Sequence, residues 1–249
     1  MRKVRKKNII LIFLAAVCVV TLLVSLYFAL RVYFPQKREQ GRFDELRQIV
    51  EQEKADTKRG DGSVYSPLYE YNSDFVGWIS IDDTQIDYPV VKSPEDDPEY
   101  YLRRDFDKNY SFSGIPFIGG GCDEYSDIFI IYAHNMKNGT MFTDLDKYAD
   151  ADWAAKHIEF EFSTLREKRK YRVFAAFKTK IGSENEFKYY DFTGNFKSEE
   201  YDDIVAKFLE KSEVALGEVP TDKAQILILS TCSYHTDNGR FVVAAYRVD

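Results

Sequence analysis

Cys232 stands at the end of a short apolar run, Ile226–Leu229, and Arg240 follows eight residues later. A thiol becomes a strong nucleophile once it gives up its proton. A guanidinium keeps its charge at every physiological pH, so it can hold an anion or a developing oxyanion. The apolar run reads as a strand covered on both faces. The segment Ser233–Gly239 carries the turn residues Asp237, Asn238 and Gly239. Phe241–Tyr246, rich in Val and aromatics, is a second strand. Folded as a hairpin, the two strands set Cys232 and Arg240 nearly opposite each other on one face, with Cβ atoms about 4.5–5.5 Å apart. A lone Cys at a strand end can also be a small buried hydrophobe. The Arg beside it argues for chemistry, because a guanidinium is hard to bury without an anion.

A thiol nucleophile needs an acid–base partner. The strand Asp127–Ala133 runs straight into His134-Asn135-Met136, at the start of HNMKNGTMF, where Asn138-Gly139 signals a turn. A His leaving a core strand is rigidly held yet reaches the surface. The chain has three His. His235, three residues from Cys232, competes for the same task. His157 ends a short helix, where a cation is favourable, and receives no role. Cys122 and Cys232 could pair in principle, but the reading here is a free thiol at Cys232, because a chain relying on disulfides usually carries more Cys. Asp82, Asp83, Asp96 and Asp97 read as solvated turns with no EF-hand pattern, so no metal site and no cofactor are expected.

These side chains need a scaffold. The chain of 249 residues, 45% hydrophobic, is long enough for one well-built core. A net charge of −7 and the lack of a basic stripe beyond the N-terminus exclude a general nucleic-acid binder. Arg2, Lys3, Arg5, Lys6 and Lys7 precede Ile9–Leu30, which holds no charge and exceeds the roughly 20 residues a bilayer needs. A cleaved signal peptide would have a shorter apolar core and an A-x-A site. The expectation is therefore an uncleaved signal anchor at 9–30, a cytoplasmic tail at 1–8, and the rest of the chain outside the cell. Residues 31–65 are expected to form a helical stalk or linker. Within it Phe43, Leu46, Ile49 and Val50 recur at helical spacing, and Lys58–Ser63 is a loop.

From residue 66 the pattern is that of a globular domain reaching 249. Ser66-Pro67 is a helix start. Strands are expected at Trp78–Ile81, Gln85–Val91, Ile115–Ile118, Asp127–Ala133, His157–Phe162 and Tyr171–Lys178. Short helices are expected at Pro98–Arg104 and Ala151–Lys156. The best helix is Glu199–Leu216, with Ile204, Val205, Phe208 and Leu209 on one face. The fold class is mainly β, a mostly antiparallel closed barrel with helices at its edges.

Cys232 in LSTC, His134 in HNMKNGTMF and Arg240 eight residues after the Cys resemble the catalytic set of the sortases. The family pattern around the Cys is Thr-Leu-x-Thr-Cys; here Ile228 replaces the first Thr. The HNM-x-x-G-x-MF form, the amphipathic N-terminal segment and the long insertion Ser183–Leu216 resemble class B. Some class B members carry an Asp directly after the Cys, whereas Ser233 stands here. The resemblance implies an eight-stranded barrel and a transpeptidase. Its thiolate attacks the Thr carbonyl of a C-terminal sorting signal, of NPxTN rather than LPxTG type, in a secreted protein. A peptidoglycan-precursor amine, or a pilin Lys, then resolves the thioacyl enzyme. In that reading Cys232 is the nucleophile, His134 the general acid and base, and Arg240 the oxyanion or substrate holder. Ser230 and Thr231, beside the nucleophile, are candidate substrate contacts. Leu102 in YYLRRDF matches a groove-lining Leu of the class, and Tyr190 lies in the aromatic run Phe187–Tyr190 of its groove wall. A thiol hydrolase using water shares the same residues. A non-catalytic surface-binding module on a membrane stalk is the alternative of a different class.

Overall fold

The computed structural model describes residues 2–56, 63–182 and 186–249. Most of the expected Lys58–Ser63 loop, and residues 183–185 of the expected insertion, lie outside the described residues. Helix α1 runs Arg2–Asp56. Its stretch Ile12–Arg31 is exposed throughout and long and apolar enough to cross a bilayer, as a membrane anchor or signal would be. The chain divides into two compact units, one ending at Asp44 and the other Glu45–Asp249. Within the second unit Leu46 and Val50 are buried one helical turn apart, as their spacing predicted.

The second unit is a closed barrel of eight strands: β1 (Phe75–Ser80), β2 (Asp87–Lys92), β3 (Phe117–Ile118), β4 (Ile128–Tyr132), β5 (Glu159–Thr164), β6 (Lys168–Lys180), β7 (Ile226–Cys232) and β8 (Gly239–Arg247). Around the barrel the order is β1-β2-β3-β4-β7-β8-β6-β5, closing on β1. All neighbours are antiparallel except β2 with β3 and β4 with β7, which run parallel. The expected strands all exist, with ends shifted by a few residues. The parallel pairs are the departure from the sequence reading. A parallel pair needs a long crossover, and here it is the whole stretch between β4 and β7. That stretch includes β5, β6, α3 (Ala151–Lys156) and α4 (Ser198–Lys211). Helix α2 is Ser66–Tyr71, with Pro67 in its first turn, and Tyr100–Arg103 forms a 3-10 turn.

Along β4, β7 and β8 the side chains alternate between two buried faces. Phe129, Ile131, Leu227, Leu229, Val243 and Ala245 form one face. Phe129 reaches Phe162 of β5 and Tyr171 of β6, strands that do not pair with β4, so this face lines the barrel interior. The other face, with Ile128, Ile130, Ile226, Ile228, Val242 and Ala244, is covered from outside by Tyr201, Ile204, Val205 and Phe208 of α4 together with Tyr189. This double covering explains the unbroken apolar runs in the sequence.

Helix α4 ends at Lys211, five residues before the expected Leu216. Tertiary contacts stop it: the Ala176 N–H of β6 donates to Ser212 Oγ, and the Glu213 N–H donates to Ala176 O at 2.8 Å. Leu209, expected on the buried face, is exposed, and Tyr201 takes its place in the core. Phe208 is fully buried among the rings of Phe174, Phe177, Phe187 and Phe192. Phe208→Ala should therefore cost about 3–5 kcal/mol of stability. Leu209→Ala should stay within about 0.5 kcal/mol. Urea unfolding of the two variants checks the contrast, and equal losses would contradict the assigned face.

Candidate active site

The β7–β8 register sets Cys232 directly opposite Arg240. The connecting loop is closed by Ser233 N–H to Gly239 O (3.0 Å) and Gly239 N–H to Thr236 O (3.0 Å). Asn238 takes the left-handed backbone (φ 57°), which Asn tolerates better than most residues. A Cβ on Gly239 would collide with the Ser233 carbonyl, so this close approach of backbone to backbone requires Gly.

His134 arrives from the other side of β7. The parallel register runs from Ile128 opposite Ile226 to Tyr132 opposite Ser230. Continued by two residues, it sets His134 beside Cys232. Two further hydrogen bonds extend the pairing past the strand end, from Ala133 N–H to Ser230 O (3.2 Å) and from Thr231 Oγ1 to Ala133 O (2.8 Å). Arg240, Cys232 and His134 thus stand in a row across β8, β7 and β4. Cys232 and Arg240 lie on the outer face of the barrel, at the end of the surface that α4 covers, and His134 follows the end of β4 beside them.

The loop after His134 is itself braced. Phe142 N–H donates to His134 O (2.9 Å), and Asn135 Nδ2 donates to Asp146 Oδ2 (2.7 Å). Gly139 supplies the positive φ (84°) of the turn that Asn138-Gly139 predicted. Tyr234 Oη donates to Asn135 O (2.8 Å), tying the Cys232 loop to the His134 loop.

The imidazole of His134 is half-buried, and its Nε2 lies 2.9 Å from Leu102 O. A carbonyl only accepts, so Nε2 carries the proton and Nδ1 is left as the basic nitrogen. Burial holds the proton affinity of His134 below the ordinary imidazole value of 6.5, against the pull of the Leu102 carbonyl. The charges of Arg103 and Arg240 push in the same direction as burial. Burial and both charges thus favour the neutral ring. Arg240 is half-buried; its Nη1 donates to Gly239 O (3.0 Å), and among the described residues it has no carboxylate partner. That removes the structural reason for the Arg that an ion pair would have supplied.

The other sequence candidates fall into place around this row. His235 is exposed, and its Nδ1 is engaged by Ser233 Oγ (3.0 Å). His157 stacks on Trp153 with ring centroids 3.8 Å apart. All three cysteines are free thiols, and burial pushes the Cys122 thiol up. Ser230 and Thr231 are 1% and 2% exposed, with their hydroxyls committed to Tyr189 Oη (2.7 Å) and Ala133 O. They support the row from below rather than offer free groups to a substrate. Leu102 is half-buried, and its contact with the row is the backbone carbonyl on His134. Tyr190 is half-buried and donates to Glu186, while its neighbour Tyr189 is the fully buried one. Sequence reasoning missed Tyr189 and Tyr234. The aromatic run contained Tyr189, but periodicity could not say which ring turned inward.

A thiol on β7, a guanidinium on β8 and an imidazole just past the end of β4 are thus carried by neighbouring segments at one end of a closed barrel. A family model described as a Sortase domain matches residues 79–248, and the chain belongs to the sortase family. Its relatives narrow this to sortase B. It is 30% identical over 217 residues to the Sortase B of Listeria monocytogenes, covering 84% of this chain and 85% of that protein. It is 26% identical over 231 residues to the Sortase B of Staphylococcus aureus, covering 91% and 92%. Among solved structures, a Staphylococcus aureus sortase B–substrate complex superposes with a TM-score of 0.75 at 25% identity, covering 86% of this chain and 98% of that one. The protein is a sortase B family cysteine transpeptidase, a family whose substrates are proteins bearing sorting signals.

The titration of His134 is a direct test of the site's electrostatics. Its imidazole NMR resonances should titrate with a midpoint below 6.5. Arg240→Gln should raise the midpoint yet leave it below 6.5, because burial is the larger cause. Protonation costs more in the fold than in the unfolded chain, so this residue's contribution to stability should fall as pH drops from about 6.5 through the folded midpoint. A midpoint above 6.5 would contradict the geometry.

Proposed function

We propose that Cys232 is the nucleophile that cleaves a C-terminal sorting signal after its Thr, with a polar NPxTN-type motif preferred over LPxTG. The observation that supports this reading is the register that sets Cys232 opposite Arg240 and leads β4, paired with β7, into His134. His134 takes the thiol proton through its basic nitrogen. The thiolate attacks the Thr carbonyl, and Arg240 holds the oxyanion that forms. As the C–N bond breaks, His134 gives the proton to the leaving amine, and a thioester remains on Cys232. An amine acceptor of the cell wall then attacks the thioester. A C–N bond forms, the C–S bond breaks, and the amine proton passes through His134 back to the thiolate. Residues 9–30 act as a signal anchor with the tail 1–8 in the cytoplasm, and the domain from residue 66 works outside the cell. The apolar helix and its basic flank support that orientation.

Incubating the full chain with NPxTN- and LPxTG-type peptides and amine acceptors tests the chemistry. Cleavage of the NPxTN type and an amide product are expected. A clear LPxTG preference would overturn the motif, and products formed with water or only with a protein Lys would overturn the acceptor. In the same assay Cys232→Ala should be inactive. His134→Ala should lose about 10²–10⁴ in rate, and His235→Ala far less. Arg240→Ala and Arg240→Lys should each lose about 10²–10³ or more, because Lys replaces a planar fork by a single flexible donor. An Arg240→Ala variant that is active but melts lower would remove Arg240 from the set.

The orientation is read by protease digestion of intact protoplasts. The domain should be degraded from outside, and its protection would reverse the assigned topology.

A further inference from the structure

On the far side of the closed barrel from β7, β1 carries the floor of a separate cavity of about 500 Å³. Small-molecule sites span about 300–1,000 Å³. The floor follows from strand register. Trp78 stands opposite Pro89 and Ser163, and Ser80 stands opposite Asp87 and Glu161, so these side chains share one face across β2, β1 and β5. Phe162, next to Ser163 on β5, points into the barrel against Phe129, so the shared face is the outer one. The end of α1 forms one wall through Arg47, Val50, Glu51 and Lys54, positions that fall on one helical face. The β5–β6 turn, with Leu165 and Arg166, forms another. Tyr65 joins the floor, stacked on Trp78 with ring centroids 6.3 Å apart and planes 14° from parallel.

The lining is charged yet balanced, with Arg47, Lys54, Arg166 and Lys168 against Glu51, Asp87, Glu161 and Glu167. Most of the pairing is internal: Arg47 meets Asp87, Lys54 meets Glu51 and Lys168 meets Glu161, each at 2.7 Å. Glu167 is held by Arg169 and Arg247. A charged ligand would therefore face as many like charges as opposite ones. A paired carboxylate keeps lone pairs and a paired guanidinium keeps N–H groups. The cavity thus sets acceptors and donors side by side, which suits hydroxyls, the groups that do both. Val50, Leu165, Tyr65 and Trp78 add apolar surface between them. A polypeptide fits less well, because β1 and β5 are each paired on both sides and leave no strand edge to join. We propose that this cavity binds a short stretch of neutral glycan, with ring C–H faces against the apolar surface and hydroxyls on the ion pairs. On the reading that the acceptor amine belongs to the cell wall, the ligand is the glycan of that wall. The cavity then holds the enzyme on the polymer while Cys232, across the barrel, carries out the transfer.

The test titrates chitotriose into the full chain by isothermal calorimetry, in a zwitterionic detergent that has no sugar headgroup. Saturable binding is expected, without competition from poly(glycerol phosphate), an anionic polymer. Ser80→Tyr fills the cavity from its floor and should abolish binding. Glu51→Ala removes one wall carboxylate from an exposed helix position, where substitutions leave the fold intact. It should weaken binding about fivefold, and it decides the matter if Ser80→Tyr does not fold. Absence of binding, an affinity unchanged in a folded variant, or displacement by the anionic polymer would overturn the inference. Calorimetry reads the cavity and not Cys232. Binding without any amide product would leave the glycan site standing and remove its link to a wall acceptor, whereas amide product without binding would remove the glycan site alone.

Discussion

The parallel pairing of β4 with β7 is the constraint on which the site depends. Cys232 and Arg240 belong to one hairpin and would meet in any fold that keeps it. His134 is almost a hundred residues from Cys232 in sequence. Only the β4–β7 ladder, extended by the Ala133–Ser230 and Thr231–Ala133 hydrogen bonds, brings it alongside. A slip of one residue would turn His134 to the other face of the sheet. The register is therefore held by burial on both faces: Phe129 and Ile131 fill the barrel, and Ile128 and Ile130 meet the α4 layer.

The covering layer also fixes where chemistry can occur. Tyr189 and α4 cover the outer face up to Ser230, whose hydroxyl bonds Tyr189. One position further along that face, at Cys232, the cover ends. Cys232 is consequently held by the sheet yet only half-buried. Thr231 points the opposite way, and its hydroxyl is spent on the neighbouring strand. The short polar sequence before the Cys is a set of ties between strands, each satisfying a polar group that burial would otherwise penalise.

Electrostatics complete the arrangement. The two charges that act on His134 are both positive, and they add to burial in keeping the ring neutral. The Leu102 carbonyl selects the tautomer, and so leaves Nδ1 as the basic nitrogen.

Much of this was legible in the sequence because the signals were local. The Cys232–Arg240 hairpin followed from an apolar run, a turn and a Val-rich strand. The strands, the start of α2 and the bounds of α3 followed from periodicity and Pro placement. The membrane-length helix followed from an uncharged stretch. What the sequence left undecided depended on distant partners. Helix α4 stops at Lys211 because β6 captures Ser212 and Glu213, which no helical period records. Tyr189 turns inward and Tyr190 does not because Ser230 lies beneath the former. Leu102 matters through a carbonyl, which every residue has. The parallel β4–β7 pair arises from a crossover of most of the domain. Its register is set by the summed fit of two buried faces, a property of the assembled barrel that no stretch of chain holds by itself.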